Sequence, residues 1–206
     1  MNEAEKTWLS ASPGTGWTQV ESGTYVYATA PAVSGPWTPT GVVEKYTQFM
    51  SGDGIHRRIR AHRDARMTPA GVALRVEAWM GSKGFTRLEF ELRGQDAVQG
   101  AVVRYDIASK TLGVSREGQT QESAPTDVPA DCVYLPLTRN FLGPVIAQIA
   151  EKEDGRASVV VPDLRDPSST TLFAPLISMR TARRCDVKGS SISVGQRTWR
   201  LSLIHI

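Results

Sequence analysis

Apolar and polar residues alternate with a period of two from Val72 to Val114, and this pattern restricts the possible folds of the 206-residue chain more than any other feature. In "GVALRVEAWM", Val72, Leu74, Val76, Ala78 and Met80 alternate with Ala73, Arg75, Glu77 and Trp79. In "FTRLEFELRG", Leu88, Phe90 and Leu92 alternate with Arg87, Glu89, Glu91 and Arg93. Successive side chains of a strand point to opposite faces, so each segment predicts a strand with one face in the core. "GSKG" joins the two with glycine at both ends, which predicts an antiparallel hairpin. "AVVRYDI", with Tyr105 on its apolar side, and "KTLGVSRE" continue the meander. "GTYVYATA" and "TGVVEKYTQF" precede it across the loop "PAVSGPWTPT", and "ASVVVPD", "TTLFAPLISM", "TARRCDV" and "SSISVGQRTWRLS" predict further strands.

One segment departs from that period. In "LPLTRNFLGPVIAQIAEKEDG", Phe141, Leu142, Val145, Ile146 and Ile149 recur at helical spacing. Inside a helix Pro144 would remove a backbone bond and clash with Asn140, so the spacing predicts a helix from Pro144 to about Lys152.

These elements set a geometric problem. About ten strands spaced roughly 4.8 Å apart would form a flat sheet nearly 50 Å wide, and a ten-residue helix is only about 15 Å long. One helix cannot cover such a face, so the sheet must curl. The expected fold is mainly β: a large curved antiparallel sheet, an incomplete barrel or half-barrel, with one helix on its concave face. Residues 1–22, rich in Ser, Gly and Thr, are expected to form a flexible N-terminal arm, and residues 23–200 a single β-rich domain. The last six residues, "LSLIHI", show no turn, cap or polar terminus. They read as a non-native tail, 201–206, on a domain that would continue past Arg200; the alternative is an ordinary last strand.

The charge is uneven. "IHRRIRAHRDAR", residues 55–66, holds five arginines and two histidines. Removing its five arginines and single aspartate from the chain's 24 basic and 21 acidic residues leaves the remainder close to neutral. At helical period its apolar stripe ends after one turn. At strand period His56, Arg58, Arg60, His62 and Asp64 share a polar, solvent-facing side, and Ile55 and Ile59 turn to the core. Arg58 and Arg60 could contact an anionic group or the phosphates of a nucleic acid. A single-strand platform also needs exposed aromatic residues, and Phe90 and Tyr105 fall on the inward side.

Catalytic and cofactor motifs are lacking. "GTG" at residues 14–16 has neither a third glycine nor a preceding strand, so no cofactor is expected. His56 and His62 lie roughly 20 Å apart on a strand, too far to share a metal. His62 with Asp64 is the one acid/base pair in reach, and a surface ion pair is the simpler explanation of it. Cys132 and Cys185 are too few for a disulfide scaffold and are expected as buried thiols, a single bridge being the alternative. No apolar run reaches the roughly 18 residues of a membrane span, so none is expected. The N-terminus lacks signal-peptide character, giving a cytoplasmic location as written, or the cell envelope if the true N-terminus precedes Met1.

The order of elements, a long meander, then "VPADCVYLPLTRNFLGPVIAQI", then "ASVVVPD" and more strands, resembles the bacterial lipoprotein-carrier-like (LolA-like) half-barrels, including envelope families and glycolipid-binding domains. The resemblance covers about Gly23 to Leu203 and rests on pattern. It implies an incomplete barrel that holds an acyl chain or similar moiety. The expected function is therefore non-catalytic binding of a lipid or other hydrophobic small molecule. Val76, Phe90, Tyr105, Phe141, Leu142, Val145, Ile146 and Ile149 would line the site, and Arg58 and Arg60 would meet an anionic head group. A nucleic-acid surface on residues 55–66, or an interaction domain with a filled core, is the alternative.

Overall fold

The computed structural model describes residues 1–29, 36–69, 71–94, 100–109, 111–116, 119–123, 132–136, 138–152, 157, 159–162, 173–175, 191–194 and 197–200. Eight strands form one antiparallel sheet in sequence order: β1 (Trp17–Thr29), β2 (Thr38–Ser51), β3 (Arg57–Ala65), β4 (Val72–Gly81), β5 (Gly84–Gly94), β6 (Gly100–Asp106), β7 (Thr111–Arg116) and β8 (Gln119–Ser123). The sheet is an open, curved meander with β1 and β8 at its edges. Bulges between Gln19 and Glu21, between Val26 and Ala28, and between Trp79 and Met80 bend it locally. The predicted hairpin forms with Gly81 opposite Gly84, whose φ of 113° is a conformation few side chains tolerate.

Short β9 (Val133–Tyr134) pairs in parallel with β10 (Val159–Pro162), which pairs with β11 (Phe173–Pro175); β12 (Ser191–Val194) and β13 (Arg197–Arg200) form a separate hairpin. "TARRCDV" and residues 201–206 lie outside the described residues.

The core lies on one face of the large sheet. Ile59 and Ala61 of β3, Leu74, Val76 and Ala78 of β4, Leu88 and Phe90 of β5 and Tyr105 of β6 are buried there in one cluster. Helix α2 (Leu142–Ala150), preceded by a 3-10 turn at Arg139–Phe141, packs on this face through Phe141, Val145 and Ile149. The helix begins two residues before the position expected from Pro144. The proline sits in the first turn, where its missing N–H has no intrahelical acceptor to lose. A Cβ on Gly84 would fall 2.5 Å from Oε1 of the flexible Gln148 side chain, so α2 lies close against the β4–β5 turn, while it is the positive φ that calls for glycine there. Cys132 is half-buried against the core, and Cys185 lies outside the described residues.

The other face holds the main departures from expectation. Residues 1–22 do not form a loose arm: α1 (Glu3–Ser10) and the start of β1 occupy them, with Glu5 and Leu9 buried. A capping box accounts for the helix, since Asn2 Oδ1 accepts from the Glu5 N–H and the Glu5 carboxylate accepts from the Asn2 N–H. The signal is legible in "NEAE", but the helix is too short to be stable without tertiary contact. The polar side of β3 is not a solvated face either. Arg60 and His62 are 7% and 2% exposed beneath α1, while Ile55, expected in the core, is 53% exposed in the turn before the strand.

Candidate functional site

The concave face assembles six of the eight apolar residues expected at a ligand site: Val76, Phe90, Tyr105, Phe141, Val145 and Ile149 share one buried cluster. Leu142 and Ile146, one turn apart, are half-buried on the flank of α2. Arg58 and Arg60 are not brought to this site. Register places Arg60 opposite Glu77 on the reverse side of the sheet from Ile59 and Val76.

A polar anchor, which periodicity does not reveal, sits at the start of α2. Glu44 of β2 is fully buried, and its carboxylate accepts from Tyr27 Oη at 2.6 Å and from the backbone N–H groups of Arg139 and Asn140 at 3.1 Å each. Those N–H groups belong to a helix start without a side-chain cap of its own, so Glu44 caps the helix from another element. Burial and the adjacent Glu44 carboxylate push the Tyr27 hydroxyl well above the ordinary phenol range. Arg63 and Arg139 lie over the Tyr27 ring, 5.1 and 5.5 Å from its centroid. Deeper in the face, the Tyr105 and Tyr134 hydroxyls meet at 3.2 Å. Asn140 is 6% exposed, and among the described residues neither its Oδ1 nor its Nδ2 has a hydrogen-bond partner.

The reverse face is a built ionic layer. The Arg60 guanidinium donates to Glu77 at 2.7 Å and to the Trp8 and Ala11 carbonyls at 2.7 and 2.6 Å, which caps the C-terminal end of α1. The Trp8 ring lies against both Arg60 and Arg75. Arg58 also bonds Glu77, and Trp79 has Arg58 and Arg87 each 4.7 Å from its centroid. Three of the five arginines in the basic stretch are therefore partnered internally: Arg58 and Arg60 with Glu77, Arg60 also with carbonyls of a helix about fifty residues earlier in the chain, and Arg66 with Glu5 and Asp64.

Within this layer His62 faces Glu5 from α1 and Asp64 and Arg66 from the end of β3, and it is paired with Arg75 of β4 and Lys45 of β2. Burial pushes its imidazole below the ordinary range, against the opposing pull of Glu5 and Asp64. For Glu5, burial acts upward, but the Asn2 N–H and the Arg66 guanidinium outweigh it and hold the carboxyl below its ordinary value. The hydrogen bonds from Arg66 hold Asp64 well below its own. A histidine whose folded pKa is depressed contributes stability that is present above its unfolded value and lost as the pH falls below it. Thermal unfolding of the metal-free protein is therefore expected to shift to lower temperature as the pH drops through about 6.5. His62→Gln is expected to flatten that step, and an unchanged slope in the variant would assign the step to another group.

No family model, no curated protein and no solved structure matches the chain.

Proposed function

We propose that the concave face binds a hydrophobic small molecule that carries an uncharged hydrogen-bonding group, with Asn140 as its polar contact. The unpartnered amide of Asn140 carries this reading. Burying an amide without a partner costs about 1–3 kcal/mol, and buried polar groups in folded proteins are satisfied with few exceptions. Leu142 and Ile146 supply apolar surface beside it on a helix without a charged residue. An apolar wall with a single polar group is the ordinary composition of a small-molecule site. The open half-barrel with a helix in its concavity agrees with the carrier-like pattern of the sequence. The engagement of Arg58 and Arg60 with Glu77 favours this reading over a nucleic-acid surface, and it favours an uncharged polar group over an anionic one.

Native mass spectrometry of the full chain purified from cells tests the proposal, followed by titration with a long-chain fatty alcohol and the matching fatty acid. A retained apolar mass, or binding that Asn140→Leu weakens about tenfold, is the expected result, since a hydrogen bond to a buried partner is worth on the order of 1.4 kcal/mol. With no ligand present, Asn140→Leu is expected to raise the unfolding midpoint by removing an unsatisfied amide. A clean apo mass with no binding of either compound would overturn the reading.

A further inference from the structure

Independently of the concave face, we infer that Glu5, His62 and Asp64 form a binding site for a divalent transition-metal ion, zinc above all, between α1 and the reverse side of the sheet. One donor atom from each residue lies within 4.8 Å of the other two. Two of these donors are fully enclosed and, among the described residues, lack hydrogen-bond partners: Glu5 Oε1 and His62 Nε2, on side chains 1% and 2% exposed. They lie 3.4 Å apart, close enough for an ion pair, yet they make no hydrogen bond. Two ligands each about 2.0–2.1 Å from a tetrahedral ion are roughly 3.3 Å apart, so this spacing matches one edge of a zinc coordination shell.

The surroundings orient the donors as a metal site requires. Glu5 Oε2 is occupied by the Asn2 N–H at 2.7 Å and by Arg66 at 3.1 Å, which leaves Oε1 as the oxygen toward His62. Asp64 is fixed by the Arg66 backbone and guanidinium at 3.1, 3.0 and 2.6 Å. Outer contacts of this kind set ligand direction in metal sites. A mixed nitrogen and oxygen donor set suits zinc better than calcium or magnesium, which prefer oxygen alone. The charges permit a cation by exchange. The two carboxylates are offset by the Arg66 guanidinium and by the Met1 ammonium, which lies 3.2 Å from Asp64 Oδ2 and 3.9 Å from Glu5 Oε2, so a bound ion takes the ammonium's place beside them. His62 coordinates as the neutral imidazole that its burial favours. Arg66 and Arg75 nearby oppose a cation, so affinity is set by how far their positive charge is offset. Asp64, with its side chain 20% exposed, is the most exposed of the three ligands, so an ion and a water ligand enter on its side as the Met1 ammonium, 3.2 Å from Oδ2, gives way. A bound ion would tie helix α1 to β3, and the stability gained would grow with metal concentration.

The test is titration of the full chain, stripped with a chelator, with zinc chloride against a chromophoric competitor, and with cobalt as a spectroscopic probe. One ion per chain, a visible cobalt spectrum of tetrahedral or five-coordinate intensity and a raised unfolding temperature are the expected results. His62→Gln and, separately, Glu5→Gln should each lower zinc affinity by about 100-fold or more, at least the loss seen when an outer-shell partner is removed. The two variants alter different elements, so if one fails to fold the other decides. A folded wild-type chain that binds no zinc, or variants that bind it as tightly as wild type, would overturn the proposal.

Discussion

Glu44→Ala is expected to destabilise the protein by about 3–5 kcal/mol and to release α2 from the sheet before the rest of the meander unfolds. The carboxylate is fully buried, and its loss strands three donors at once: the Tyr27 hydroxyl and the Arg139 and Asn140 N–H groups. Each buried donor left unpaired costs about 1–3 kcal/mol, partly relieved where water reaches it. A carboxylate at a helix N-terminus also loses its favourable interaction with the helix dipole, on the order of 0.3–1 kcal/mol. Glu44→Gln keeps one carbonyl oxygen as acceptor but turns its amide donors toward N–H groups, so its effect should be smaller but in the same direction. Denaturant unfolding followed by hydrogen exchange of the α2 amides measures both quantities. A loss below about 1 kcal/mol for the alanine variant would mean that the cap contributes little and that apolar contacts alone seat the helix.

Phe141→Ala is expected to cost about 3–5 kcal/mol, a large share of the roughly 5–15 kcal/mol that holds a domain folded. Phe141 is fully buried, and its ring meets Phe85 edge to face with centroids 5.8 Å apart. It is the side chain through which the turn before α2 enters the sheet core, so truncation both removes apolar burial and leaves a cavity that neighbouring strands cannot close. Phe141→Leu should recover much of the loss. The midpoint of chemical denaturation, at constant slope, is the measurement. An alanine variant within about 1 kcal/mol of wild type would show that the concave face is loosely filled there, which would itself favour a ligand cavity.

The two variants separate roles that the sequence does not separate. Phe141 and its neighbours Val145 and Ile149 are legible because helical spacing is local: three or four residues place them on one face whatever the rest of the chain does. The strands are legible for the same reason, and β4 and β5 could be paired because their turn is two residues long between glycines. The antiparallel meander, the helix on the concave face and the shared burial of six of the eight apolar residues expected to line a ligand site follow from this local information.

Glu44 meets Asn140 across 96 positions, and Arg66 meets Glu5 across 61. No period or spacing encodes such contacts. They arise when two elements, each stable only in company, dock and exclude water from the charges between them. That exclusion reverses the reading of "IHRRIRAHRDAR". Its composition and alternation determine a strand with a polar side, but whether that side faces solvent depends on a short helix whose capping box is weak without the strand beneath it. The sequence by itself determined which residues share a face. Only the tertiary structure decided which faces are covered, because a buried charge is tolerated only where a partner from another part of the chain has been brought to it.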